Sequence, residues 1–215
     1  QEPDGPRLDE ASSAAVADAG LVSGAVWSDL DENGFPDLVL ACEWGPIRLF
    51  RNERGTLSEW NVPVIVQHPT LGAQPTSGNR AGTINHQPST INELSGWWNG
   101  VTTGDFDADG QLDIVAGNWG LNSHVSASVA HPARLFYGDL AGLGVTDLIE
   151  AAYVPELGAE APVRGLNALG QAFPMLQGRY PTHRAFASAT IEDVLDALPN
   201  TAKSVSATTL ASMLF

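Results

Sequence analysis

The stretch Gly24-Ala-Val-Trp-Ser-Asp29-Leu-Asp31-Glu-Asn33-Gly34-Phe-Pro-Asp37-Leu-Val-Leu-Ala41 decides the fold, because the chain contains it twice. It aligns without gaps on Gly100-Val-Thr-Thr-Gly-Asp105-Phe-Asp107-Ala-Asp109-Gly110-Gln-Leu-Asp113-Ile-Val-Ala-Gly117. Repetition of this kind marks a structural unit that buries its apolar face against copies of itself. In each copy an apolar run enters an acidic loop and a second apolar run leaves it, so each loop joins two strands. The similarity continues outward. Cys42-Glu43-Trp44-Gly45 answers to Gly117-Asn118-Trp119-Gly120, and Ile47-Arg48-Leu49-Phe50 answers to Ala133-Arg134-Leu135-Phe136.

A third copy, Gly138-Asp139-Leu-Ala141-Gly-Leu143-Gly144-Val-Thr-Asp147, keeps the first and last Asp and the Gly of the loop. It loses the two middle acids. The copies start 76 and then 34 residues apart, which predicts an insertion. The stretch from about Asn61 to Ser95, rich in Pro, Gly, Thr, Asn and Gln, reads as that insertion and as a long loop. Strands are predicted at Val22–Ser28, Asp37–Cys42, Ile47–Asn52, Val101–Gly104, Asp113–Gly117 and Arg134–Gly138. Spaced Leu, Ala, Phe and Val predict helices over Leu166–Leu176 and Pro181–Leu198, with Thr190-Ile-Glu-Asp193 as a capping box. The last run, Val205–Phe215, fits strand or helix.

The loops carry the chemistry. Asp29, Asp31, Asn33 and Asp37 in the first, and Asp105, Asp107, Asp109 and Asp113 in the second, stand at loop positions 1, 3, 5 and 9. Alternating side chains of a tight loop can point inward together, and Gly34 or Gly110 at position 6 allows the reversal that wraps the chain round an ion. Oxygen ligands without His or Cys select Ca²⁺ over zinc or copper. Backbone carbonyls of Phe35 and Gln111 at position 7 would add a ligand each. An EF-hand also uses positions 1, 3 and 5 with Gly at 6, but it needs Glu at position 12 and flanking helices. Position 12 is Leu40 or Ala116 and the flanks are strands, so the EF-hand is rejected. An ion-free Asp/Gly turn is the plain alternative, and it is favoured for the third loop. There only Asp139 and Asp147 remain as a weak site, because Ala141 and Leu143 offer no side-chain oxygen.

These loops resemble the FG-GAP/VCBS repeats of calcium-binding β-propellers. The matching residues are Asp29, Asp31, Asn33, Asp37 and Gly34, and Asp105, Asp107, Asp109, Asp113 and Gly110, within a stretch from about Leu21 to Tyr153. The resemblance implies a mainly β fold, a partial or atypical β-propeller with calcium loops between blade strands, followed by a helical C-terminal segment. It divides the chain into a lead-in over 1–20, repeats over 21–153, and a helical insertion or cap over 154–215. Two or three units fall short of a full ring, so further blades or domains of a longer chain are expected partners. The implied role is non-enzymatic adhesion, or binding of a protein or carbohydrate ligand, in an extracellular, periplasmic or cell-surface setting. One alternative is a calcium-stabilised propeller enzyme, a lyase or hydrolase of polysaccharide, favoured by a cleft that holds paired carboxylates or a His–Tyr pair away from the loops. The other is a structural fragment of a larger propeller protein.

Charge points the same way. The chain has 25 acidic and 10 basic residues and a formal charge of -15, which argues against a nucleic-acid or anionic-membrane surface. Nine of its 25 acids, all Asp, stand at ligand positions of the three loops, so part of the acidity is gathered at sites. No run of 18 apolar residues occurs, so no membrane span is expected. The N-terminus QEPDGPRLDE lacks the features of a signal peptide, so any export signal was removed or the chain is cut from a longer one. With Cys42 the sole cysteine, no intrachain disulfide can form, and its apolar strand makes it a buried small hydrophobe.

Other residues read more plainly. Trp44, Trp119 and Trp97-Trp98 are assigned to packing between units over a carbohydrate platform, with Trp98 the least determined. His68, His86, His124, His131 and His183 are scattered, with no HExxH, and read as loop or surface residues. No catalytic motif, phosphate loop or dinucleotide fingerprint occurs, and Gly142-x-Gly144 belongs to the third loop. Glu43 and Glu150 could serve a hydrolase but have no spacing that supports it.

Overall fold

A computed structural model describes residues 10–64 and 89–215. The centre of the long loop expected over Asn61–Ser95, with His68 and His86, lies outside the described residues. In chain order the elements are helix α1 (Glu10–Val16) and strands β1 (Leu21–Ser28), β2 (Asp37–Gly45), β3 (Arg48–Glu53) and β4 (Thr56–Glu59). A short ribbon, β5 (Pro63–Val64) with β6 (Ser89–Thr90), precedes a 3-10 turn at Ile91–Glu93. Next come β7 (Gly96–Gly104), β8 (Asp113–Asn118), β9 (Ala133–Gly138), β10 (Asp147–Val154) and β11 (Ala159–Pro162). Helices α2 (Leu166–Ala172), α3 (Met175–Arg179), α4 (His183–Phe186) and α5 (Ile191–Leu195) lead to β12 (Lys203–Ala207) and β13 (Met213–Leu214). All six predicted strands are present and the fold is mainly β. The three acidic loops each join two antiparallel strands: β1 to β2, β7 to β8 and β9 to β10.

The chain forms two compact units. The first takes its described residues from those up to Leu94, with Trp98–Trp119 and Ala211–Phe215. Its sheet has the order β13-β8-β7-β2-β3-β4, with β1 also paired to β2. Strand β2 is buried on both faces, which explains its unbroken apolar run. Val39 and Ala41 enter a core with Ile47, Leu49, Ile91, Trp98, Ile114 and Ala116, while Leu38, Leu40 and Cys42 pack with Ala19 and Phe50.

Within this unit β1 and β7, the matching strands of the two copies, run side by side in the same direction. Ser23 Oγ donates to Trp98 O, Thr103 Oγ1 donates to Ser28 Oγ at 2.9 Å, and a Cβ on Gly24 would sit 3.0 Å from Gly100 Cα. Gly24 and Gly100 are aligned partners in the repeat, so equivalent residues meet across this seam.

The second unit holds Ser95–Trp97 and Gly120–Leu210. Its sheet has the order β11-β10-β9-β12. Phe136, Ile149 and Ala151 form a core with Leu169, Phe173, Leu176, Phe186, Ile191 and Val194 from the helices. The capping box forms at α5: Asp193 N–H donates to Thr190 Oγ1 at 3.2 Å and Thr190 N–H to Asp193 Oδ2 at 2.9 Å.

Two expectations need correction, and one open between strand and helix is decided. The segment 154–215 is not helical throughout: four short helices occupy 166–195, and β11, β12 and β13 are strands. The run Val205–Phe215 holds the end of β12 and all of β13 as strand, because Val205 pairs with Leu135 and Met213 with Ala116. The match of Ile47–Phe50 with Ala133–Phe136 is not one of position: Leu49 and Phe50 pair with β2, whereas β9 pairs with β10 and β12. Both segments are apolar strands with one Arg, which sequence similarity alone cannot place in a sheet.

Candidate metal centre

The first loop closes on its own carboxylates. Asp29 accepts the N–H of Asn33 at 3.0 Å on one oxygen and the N–H of Gly34 at 2.9 Å on the other. Asp31 Oδ1 accepts the Asn33 N–H at 3.3 Å, and Asn33 Oδ1 accepts the Phe35 N–H at 2.8 Å. Asp37, at position 9, takes the Leu30 N–H at 3.0 Å. The second loop repeats this pattern. Asp105 accepts from Asp109 and Gly110, both at 3.1 Å, and Asp107 accepts from Asp109 at 3.1 Å. Asp109 accepts from Gln111 at 2.8 Å, and Asp113 accepts from Phe106 at 2.8 Å.

The backbone of both loops turns through the left-handed region at positions 4 and 6: Glu32 (φ 57) and Gly34 (φ 87), then Ala108 (φ 63) and Gly110 (φ 90). Gly is the residue that adopts this region without steric cost. The third loop has the same two left-handed positions, both glycine: Gly142 (φ 74) and Gly144 (φ 78). Its terminal acids keep their backbone work, since Asp139 Oδ1 accepts the Leu143 N–H at 2.7 Å and Asp147 Oδ2 the Ala141 N–H at 2.9 Å.

Ligand atoms converge in two of the three loops. In the first, Asp29, Asp31 and Asp37 each offer an oxygen within 4.8 Å of the others, and in the second Asp105, Asp107 and Asp109 do. Asp113 stands outside the second trio, and Asn33 brings an amide oxygen rather than a carboxylate. Phe35 and Gln111 are placed by the Asx bonds of their N–H groups to Asn33 and Asp109. Asp139 and Asp147 gather no third acid. The second trio is exposed, while Asp37 of the first is fully buried. An all-oxygen set of three carboxylates, with an amide or a fourth carboxylate beside them, suits a hard divalent cation and offers nothing to a soft one.

Two participants lie outside the motif. Arg51, on β3, donates Nε to Asp31 Oδ2 at 2.5 Å, and Asn52 donates its N–H to Asp37 Oδ1 at 2.8 Å. Asn52 also accepts from Asn33 Nδ2 at 3.3 Å and donates to Pro36 O at 2.8 Å. No local pattern in the sequence announces a partner 20 residues away.

The other candidates separate cleanly. Trp98 is wholly buried and donates Nε1 to Leu94 O at 3.1 Å, and Trp44 is buried, so both pack. Trp119 is 47 % exposed despite its matching place; Trp44 lies within β2, whereas Trp119 lies just beyond β8. Glu150 is held by Arg164 through two hydrogen bonds of 2.8 and 3.1 Å, and this contact raises the Arg164 guanidinium further above its ordinary value. His131 stacks on Tyr153 with ring centroids 3.7 Å apart and planes 18° apart, a contact of π faces rather than a proton relay. His124 and His183 are exposed. The Cys42 thiol is buried and donates to Ala19 O at 3.2 Å, and burial pushes its pKa up. No helix among the described residues is long and apolar enough to cross a membrane.

Comparison of the chain with protein-family models, curated proteins and solved structures found no match.

Proposed function

We propose that this chain is a calcium-binding module of β-propeller type, non-enzymatic, whose loops are rigidified by Ca²⁺. The observation that carries this reading is the third loop. It has the same two left-handed positions, its first Asp again accepts the position-5 N–H, and its last Asp again accepts an N–H from the start of the loop, from position 3 rather than 2, yet it has no acids at positions 3 and 5. The middle acids are therefore not needed to fold such a loop. Placing extra carboxylates beside two others costs repulsion that a bound cation relieves, which supports Asp31, Asp107 and Asp109 as ligands.

The propeller part of the reading rests on the seam between β1 and β7. Blades arranged round an axis bring matching inner strands together in parallel, and Gly24 against Gly100 fits that relation. The described sheets are open, so a closed ring takes further blades. Adhesion, or binding of a protein or carbohydrate ligand outside the cytoplasm, follows from the family resemblance.

Isothermal titration calorimetry of the chelator-treated chain with calcium tests the reading. Two sites are expected, and Asp109→Ala should leave one. Absence of calcium binding overturns it, and unchanged stoichiometry in Asp109→Ala overturns the ligand assignment.

A further inference from the structure

The two intact loops differ in the charge that meets them from outside their motif. Arg51 places a guanidinium on Asp31, one of the three converging acids of the first loop. Among the described residues, no cation pairs with Asp105, Asp107, Asp109 or Asp113. Charge at the ligand positions is thus three Asp offset by one Arg in the first loop, net -2, against four Asp in the second, net -4.

We propose that Arg51 is a tethered counter-ion that competes with calcium for the first loop, making it the weaker of two unequal sites. This rests on the calcium reading above. A guanidinium cannot be deprotonated, so it stays a competitor at every working pH. It also has somewhere to go. Nη1 lies 3.4 Å from the Glu53 carboxylate, and the guanidinium carbon lies 5.9 Å from the centre of the Trp60 ring. When calcium takes Asp31, Arg51 moves onto Glu53 and Trp60. In the absence of metal it neutralises part of the loop, so the first loop is the less dependent on calcium for its order.

The test is calorimetric titration of the whole chain with calcium chloride at low ionic strength, comparing wild type, Arg51→Gln and Arg51→Lys. Wild type is expected to show two classes of site. Arg51→Gln should tighten the weaker class about three- to tenfold and leave the tighter class unchanged, while Arg51→Lys should keep the weaker class weak. Two equal classes in wild type, or a weaker class unmoved or loosened by Arg51→Gln, overturn the proposal and leave the calcium reading standing. No binding at either site overturns the calcium reading itself. Should Arg51→Gln not fold, the wild-type Arg51 Nε–H resonance decides. A shift that follows filling of the weaker site supports competition, and an unmoved resonance refutes it.

Discussion

Asn52 donates its backbone N–H to the carboxylate of the fully buried Asp37, at 2.8 Å, so the last acid of the first loop is also the clamp that ties β3 to it. The other oxygen of Asp37 takes the Leu30 N–H at 3.0 Å. One side chain therefore satisfies two backbone donors, one local and one from the neighbouring strand.

Asp37→Ala should destabilise the chain by about 2–4 kcal/mol, because both donors lose their acceptor where water has little access. Asp37→Asn keeps one oxygen and should cost less. Urea denaturation with chelator present measures both, so that any loss of calcium is kept out of the comparison. Equal stability of Asp37→Ala and wild type would refute the clamp.

Gly24 and Gly100 should differ in tolerance although they are equivalent in the repeat. A methyl at Gly24 meets Gly100 Cα at 3.0 Å, whereas one at Gly100 meets nothing within 4 Å. Gly24→Ala is expected to cost about 1–3 kcal/mol by forcing the β1–β7 seam apart. Gly100→Ala should stay within about 1 kcal/mol of wild type. Thermal melts of the two variants check this order.

Asp147→Ala should weaken the third loop without changing calcium stoichiometry. Its carboxylate holds the Ala141 N–H at 2.9 Å, and no third acid converges there with Asp139. A stability loss of about 1–3 kcal/mol is expected from the orphaned donor. Calorimetry showing one site fewer would mean the third loop binds after all.

The α5 cap gives a pH signature. The backbone and side-chain hydrogen bonds from Thr190, with a smaller effect of Arg179, hold the Asp193 carboxyl below its ordinary value. A depressed folded pKa adds stability above the unfolded carboxylate range, and that contribution is lost as pH falls through the folded pKa. Thr190→Ala removes the hydroxyl that accepts the Asp193 N–H and donates to its carboxylate but keeps the backbone N–H bond, so it should lower stability by about 0.5–2 kcal/mol at neutral pH and flatten the acid side of the stability curve only in part. Thermal melts from neutral to acid pH, compared between the two proteins, measure this.

Local rules made much of this fold legible. The Asp-x-Asp-x-Asn/Asp-Gly pattern marks a tight loop because Asx bonds and a left-handed Gly act within nine residues, and all three copies form it. Strand positions followed from apolar runs bounded by turn residues, and the α5 cap from four consecutive residues. Elements that needed a distant partner were misread or left open. Met213 and Leu214 become strand only because β8 offers an edge, and Trp98, the least determined tryptophan, turns out wholly buried.

The sequence by itself therefore determined where chains turn and which side chains can gather in a loop, since those depend on spacing of a few residues. The tertiary structure decided what stands next to what. It set Arg51 on Asp31, laid Gly24 against Gly100, and gave β9 a different sheet from β3. Those contacts join residues 20 or more positions apart. Whether they form depends on packing of the whole unit, which no local pattern encodes.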